Sequence, residues 1–268
     1  MPAAKERVRV AALSDLHFSR TTPAGSLQPL FAQISDSADI LVLCGDLTDY
    51  GLVEEARLLA RELQTLKIPA VSVLGNHDFE SGQQADIIKA LADAGVTVLD
   101  GDTADIQGIG FAGVKGFAGG FGRRALGPWG EDIIKSFVHE AVNEALKLET
   151  ALARLRGDRI VAILHYSPIQ ETVEGEPPEI YAFLGCSRLE EPLLRYPVNV
   201  VFHGHAHHGR PEGRTRTGTP VFNVSWTMMR EIEPERPFRI VEIPIVHATE
   251  PSISEAPHPG PAPVARRA

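Results

Sequence analysis

The segment 201–209, VFHGHAHHG, holds four histidines: His203, His205, His207 and His208. Imidazole is a common protein ligand for transition metals, so this spacing points to a metal. One cluster does not complete a coordination shell, and further ligand types stand elsewhere in the chain. Asp15 and His17 lie in DLH, Asp46 and Asp49 in GDLTD, Asn76, His77 and Asp78 in GNHD, and His165 stands alone before YSP. Carboxylate, imidazole and amide oxygen together suit a borderline ion such as manganese, iron or zinc. They do not resemble the oxygen-only cages of calcium or magnesium.

The elements that must position these residues can be read from apolar runs. RVRVAAL (7–13) reads as a strand ending at SDLH, ILVLC (40–44) as a strand ending at GDLTD, and PAVSVL (69–74) as a strand ending at GNHD. IVAIL (160–164) ends at His165, and VNVVF (198–202) ends at the histidine segment. Helical patterns separate them. In 52–66, Leu52, Ala56, Leu59, Leu63 and Leu66 recur at helical spacing. Further helices are expected near 26–36, 83–94, 131–156 and 187–195, and further strands near 96–99, 108–114, 220–224 and 238–245. Residues 166–186 read as an extended proline-bearing loop, and 116–130 as a glycine-rich loop over something. Strand–helix alternation with continuously apolar strands implies a sheet covered by helices. In such open sheets ligands bind at the carboxyl ends of the strands, which is where every motif falls.

Composition adds bounds. The chain has 268 residues, 43% hydrophobic and 23% charged, with two cysteines, so a folded core is expected without a disulfide framework. The net charge of −9 argues against a broad surface for nucleic acid or anionic lipid. No apolar run reaches membrane-spanning length, and MPAAKERVRVAALSD lacks a secretory pattern, so a cytoplasmic location is expected. Residues 1–248 read as one domain and the proline- and alanine-rich 249–268 as a disordered tail.

The ordered series DLH, GDLTD, GNHD, a lone His165 and GHAH resembles the calcineurin-like metallophosphoesterase family, from Asp15 to His207, most of the folded chain. The resemblance implies an α/β fold, a four-layer α/β/β/α sandwich of two mixed β-sheets with a two-metal site at the carboxyl ends of the strands. It implies that Asp15, His17 and His207 hold one ion, that Asn76, His165 and His205 hold a second, and that Asp46 bridges them. It implies hydrolysis of a phosphoester by in-line attack of a metal-bridging hydroxide, with His77 facing substrate as general acid or as a stabiliser of developing negative charge, and Asp78 placed to orient or charge it by a hydrogen bond. Asp49 could serve a ligand histidine in the same way. Two divalent cations less Asp15, Asp46 and one hydroxide leave about one net positive charge, enough to attract phosphate to an acidic chain. The short motifs without large insertions are similar to bacterial cyclic-nucleotide-type phosphodiesterases, so a small diester is the expected substrate. A phosphomonoesterase or protein phosphatase is the nearest alternative, and a catalytically silent scaffold a more remote one.

Other residues carry plainer readings. His203 precedes the ligand block and belongs to the core or behind a ligand; in an extended segment it would share a face with His205 and His207, with His208 on the other face, solvent-facing or near bound substrate. His139 belongs to the long helix. GIGFAG (108–113) matches a dinucleotide fingerprint, but no helix follows it. Cys44 reads as inert core, and Cys186 shows no sign of activation. Arg123 and Arg124, in the glycine-rich loop, read as solvated charges or as a lid reaching substrate. Because histidine must be neutral to bind metal, affinity is expected to fall below about pH 6.5.

Overall fold

A computed structural model describes residues 6–245; the expected tail 249–268 lies outside the described residues. In chain order the elements are β1 (Arg7–Leu13), α1 (Gln28–Ser37), β2 (Ile40–Cys44), α2 (Val53–Leu63), β3 (Ala70–Val73), α3 (Gln84–Asp93), β4 (Val96–Val98), β5 (Asp102–Ile106), β6 (Ile109–Gly113), α4 (Asp132–Arg154), β7 (Ile160–Ile163), α5 (Tyr181–Leu184), α6 (Glu190–Leu193), β8 (Val198–His203), β9 (Glu212–Arg214), β10 (Pro220–Asn223), α7 (Trp226–Ile232) and β11 (Arg239–Pro244).

Continuously apolar strands arise because both of their faces are buried. Alternate residues serve opposite sides. Ala11, Leu13, Leu41 and Leu43 pack with Phe31, Ile34, Ala56, Leu59 and Leu91, the apolar faces of α1, α2 and α3. Val10, Ala12, Ile40, Val42 and Val73 meet Phe111, Val161, Ile163 and Phe202 of the other sheet. Behind that second sheet, Ala112, Ala162 and Val201 pack against Leu148, Ala151 and Leu152 of α4. The result is the expected helix–sheet–sheet–helix sandwich.

The first sheet runs β11-β1-β2-β3-β4, parallel except for β11, and the second runs β5-β6-β7-β8-β10-β9, parallel in its centre with antiparallel edges. The carboxyl ends of the central strands of the two sheets meet. Ser14, leaving β1, donates its backbone N–H to the Val224 carbonyl beyond β10 (3.0 Å), and Trp226 donates back to Ser14 (3.0 Å). Side chains leaving β1, β2, β3, β7 and β8 are thereby delivered to one rim.

The departures from expectation sit at the margins. β5, DTADI, carries an exposed or half-exposed residue at every position, so its polar composition hid an edge strand. β9 and α7 were also unexpected. The helix expected at 187–195 is a 3-10 turn, Ser187–Leu189, followed by the short α6. GIGFAG forms the turn into β6 and β6 itself. The segment 116–130 is not a loose cover: Gly119 and Gly120 donate to the carbonyls of Ala182 (2.8 Å) and Gly185 (2.9 Å), and exposure begins at Gly122, with Arg123 and Arg124 on a solvent-facing turn. Cys44 and Cys186 are both buried. No helix among the described residues is long and apolar enough to cross a membrane.

Candidate metal centre

Among the described residues, five non-glycine positions have positive φ: Asp15 (59°), His17 (43°), Asp46 (48°), His205 (70°) and Gln107 (54°). All but Gln107 are motif residues. The left-handed region is costly for a residue with a Cβ, and here it turns the chain sharply as it leaves a strand, so that the side chain faces the rim. The glycines admit the carboxylates. A Cβ at Gly75 would collide with Asp46 Oδ1, and one at Gly204 would lie 2.6 Å from Asp15 Oδ2.

The expected residues converge in two groups. Asp15, His17 and His207 bring one ligand atom each within 4.8 Å of one another, and so do Asp46, His165 and His205. Asn76 Oδ1 joins the second group, 2.9 Å from His165 Nε2. Asp46 stands between them: its Oδ2 is 3.3 Å from His165 Nε2 and 3.9 Å from His17 Nε2. Asp15 Oδ1 is 3.2 Å from His207 Nε2, and the carboxylate also accepts from Ser14 Oγ and the His205 backbone N–H. Asp15 and Asp46 are 2% and 1% exposed, and carboxylates so buried need concentrated positive charge.

The histidine rings show which nitrogens are available. A carbonyl only accepts, so the ring nitrogen facing it carries the proton. His165 Nδ1 donates to the Cys44 carbonyl (2.8 Å) and leaves Nε2 toward Asp46; His205 Nε2 donates to the Phe183 carbonyl (3.1 Å) and leaves Nδ1. His17 Nδ1 faces Asp49 Oδ1 at 3.5 Å, while its buried Nε2 has no hydrogen-bond partner among the described residues. An orphaned buried nitrogen beside a buried carboxylate, with the opposite nitrogen oriented by an oxygen, is the arrangement a metal-ligating histidine requires. The donor set fits a pair of borderline cations. His203 differs. Its Nδ1 lies 2.8 Å from the Gly204 carbonyl and its Nε2 2.8 Å from Thr172 Oγ1, so both nitrogens are spent in the core.

Two expectations need correction. Asp78 does not orient His77. Its fully buried carboxylate accepts from the backbone of Leu47, Thr48 and Gly75 and from Thr48 Oγ1, at 2.6 to 3.2 Å, fastening the GNHD turn to the GDLTD turn. Burial and the charge of Asp46 push its pKa up to about 6. The ring of His77 is held by Asp49 instead, whose carbonyl lies 2.7 Å from Nδ1. Nor does strand alternation arrange the last four histidines: β8 ends at His203, and the positive φ of His205 breaks the period. His205 and His207 still reach the rim, while His208 is exposed, with its backbone N–H on Glu176 Oε1 (2.8 Å). His139 lies exposed on α4.

Sequence reasoning missed the orienting carbonyls of Cys44 and Phe183, which no residue type announces. It also missed Tyr166, whose ring lies 4.5 Å from that of His205.

Electrostatics bear on ion loading. Burial alone would lower the His165 pKa, but the charge and hydrogen bond of Asp46 raise it to about 9. Burial holds His205 down at about 4 and lowers His17. The hydrogen bond with Asp15 raises His207. The metal-free protein at pH 7 therefore holds a proton on His165 that a cation must expel. Affinity should climb as pH rises toward about 9, a higher window than the sequence implies. Titration calorimetry at pH 7 in two buffers of different ionisation enthalpy should record the release of at least one proton on loading; proton-independent loading would contradict this.

Comparisons with known proteins agree with this geometry. The family model described as calcineurin-like phosphoesterase matches residues 8–209. Over 83 residues, 30% of this chain, the chain is 34% identical to the UDP-2,3-diacylglucosamine pyrophosphatase LpxG of Chlamydia muridarum and 36% identical to that of Chlamydia trachomatis. The match spans 25% of the length of each of these relatives. Among solved structures, TT1561 of Thermus thermophilus superposes with a TM-score of 0.50 at 14% identity, covering 87% of this chain and 98% of that one. GAP50, the anchor in the inner membrane complex of Plasmodium, superposes with a TM-score of 0.51 at 15% identity, covering 83% and 73%. Both likenesses concern the fold. With the motifs in order, their ligand atoms gathered at one rim and the family model spanning three-quarters of the sequence, the chain belongs to the calcineurin-like phosphoesterase family.

Proposed function

We propose that the protein hydrolyses small phosphodiesters at a two-cation centre, with residues 1–248 as one catalytic unit. Asp15, His17 and His207 would hold one ion; Asn76, His165 and His205 would hold the other; Asp46 would serve both. The observation that carries this reading is the position of Asp46 Oδ2 between His17 Nε2 and His165 Nε2. Bound there, manganese, iron or zinc would supply Lewis-acid charge for phosphoryl oxygens and would acidify water.

The chain's own residues do the rest. Asp15 and Asp46, both buried, would offset only part of the charge of two bound cations, so that the loaded rim would stay net positive and favour an anion. His77 is the proton carrier. With Nδ1–H given to the Asp49 carbonyl, Nε2 is left to hold a proton and deliver it to the departing alkoxide. Its ring stands edge-on to that of His17, with centroids 4.4 Å apart, which places it beside the first ligand group. Asp49 also faces His17 and so couples the position of the acid to that of a ligand.

The preference for a diester gains support from the Chlamydia relatives. A pyrophosphatase acting on UDP-2,3-diacylglucosamine attacks a phosphorus with two substituted oxygens, one ester and one anhydride, as a diester has two ester oxygens. A silent scaffold would be expected to have lost ligands, and all seven positions are filled here. Loaded with manganese, the protein should turn over bis-p-nitrophenyl phosphate well ahead of p-nitrophenyl phosphate; exclusive monoesterase activity would overturn the preference.

A further inference from the structure

Beside the rim lies a feature that the hydrolytic residues do not use. Lys115, 9% exposed, follows β6 and turns its ammonium between three rings, with Nζ 4.9 Å from the centroid of Phe117 and 5.3 Å from those of Phe79 and Tyr166. Its one hydrogen-bond acceptor among the described residues is the Gly116 carbonyl, at 2.9 Å, although an ammonium has three N–H donors. Lys115 lines a cavity of about 150 Å³ walled by Leu74, Phe79, Ile88, Val98 and Leu99. Gln84, at the start of α3, lines it too, and its Oε1 is buried without a partner among the described residues. Asp100 completes the lining, its carboxylate paired with Lys147.

This cavity adjoins the GNHD turn. Leu74 and Phe79 flank the GNHD turn, so one wall is the loop that carries Asn76 and His77. Tyr166, on the other side of Lys115, packs on His205. A desolvated cation and an unspent amide oxygen at a largely aliphatic slot with the Phe79 ring in its wall call for a ligand that is flat, apolar on its faces and polar at its edge. The volume is below the roughly 300–1,000 Å³ of drug-sized sites, so the slot admits one ring system and not a whole nucleotide.

We propose that this cavity is a subsite for a planar heteroaromatic group, of the nucleobase class, carried by the phosphoester. Lys115 donates to a ring carbonyl or nitrogen, Gln84 accepts a ring N–H or amine, and Phe79 offers a stacking face. The assignment rests on the phosphodiesterase reading above.

The test compares two diesters with the same p-nitrophenolate leaving group: thymidine 5′-(p-nitrophenyl phosphate) and methyl p-nitrophenyl phosphate. The manganese-loaded wild type should favour the thymidine ester by about tenfold or more in kcat/KM. Lys115→Met and Gln84→Met should each lose most of that preference, chiefly through KM, and leave the methyl ester within about twofold of wild type. Methionine keeps the length and apolar stem of both side chains, and Gln84, half-buried, is changed independently of the aromatic cage. No preference in the wild type, or equal losses on both esters, would overturn the subsite. Should neither ester be turned over, the hydrolytic reading fails by itself. Saturation-transfer NMR of thymidine with the metal-free protein then decides the subsite: a signal lost in Lys115→Met upholds it, and no signal in the wild type overturns it.

Discussion

Replacing Asp46 with alanine is expected to lower turnover of bis-p-nitrophenyl phosphate by roughly 10³-fold or more and to strip the metal from the purified protein. The size of the effect follows from position. Asp46 faces a ring nitrogen in each ligand group, through His17 and through His165. Without it, four imidazoles, one amide oxygen and a single carboxylate would have to hold two cations that repel each other. Its Oδ1 also accepts the His77 backbone N–H at 2.9 Å, so alanine would loosen the GNHD turn as well. Asp46→Asn separates the two effects, since the amide keeps an acceptor and the volume but not the charge. It should fold with a wild-type circular dichroism spectrum and lose activity nearly as completely. An Asp46→Asn protein with more than a tenth of wild-type turnover would remove the bridging role.

The second large effect depends on the substrate. His77→Ala should cost about 10²-fold or more in kcat on a diester whose leaving group is an alkoxide, within the range usual for a general acid. On a p-nitrophenyl diester, whose leaving group departs without help from a proton, the loss should be below about tenfold. Metal content should not change, because His77 belongs to neither ligand group of the proposed centre. This split separates proton delivery from a structural role, which would depress both substrates alike. Equal losses would contradict the assignment of Nε2 as the proton carrier.

Much of this site was legible because its ligands sit where apolar runs stop. ILVLC followed by GDLTD can be read without coordinates: a strand buried on both faces must be apolar throughout, and the first polar residues past its end reach the rim. The layers followed from the same alternation. What escaped the sequence has physical reasons. β5 has little apolar surface to bury, so nothing in DTADI distinguishes an edge strand from a turn. Asp78 has the type and place of a partner for His77, yet its direction depends on four donors from Leu47, Thr48 and Gly75, the first two of these residues about thirty positions upstream. The histidine segment obeys a strand period only as far as His203, because the left-handed turn at His205 responds to Asp15, which accepts its N–H from across the sandwich. The orienting carbonyls of Cys44 and Phe183 are backbone atoms and leave no trace in residue identity.

Anomalous diffraction from crystals grown with manganese addresses the central claim most directly, since it needs neither a substrate nor a variant. Two peaks per chain are expected, about 3.5–4 Å apart, one bounded by Asp15, His17 and His207, the other by Asn76, His165 and His205, with Asp46 in contact with both. A single peak at full loading, or two peaks that Asp46 does not join, would contradict the account.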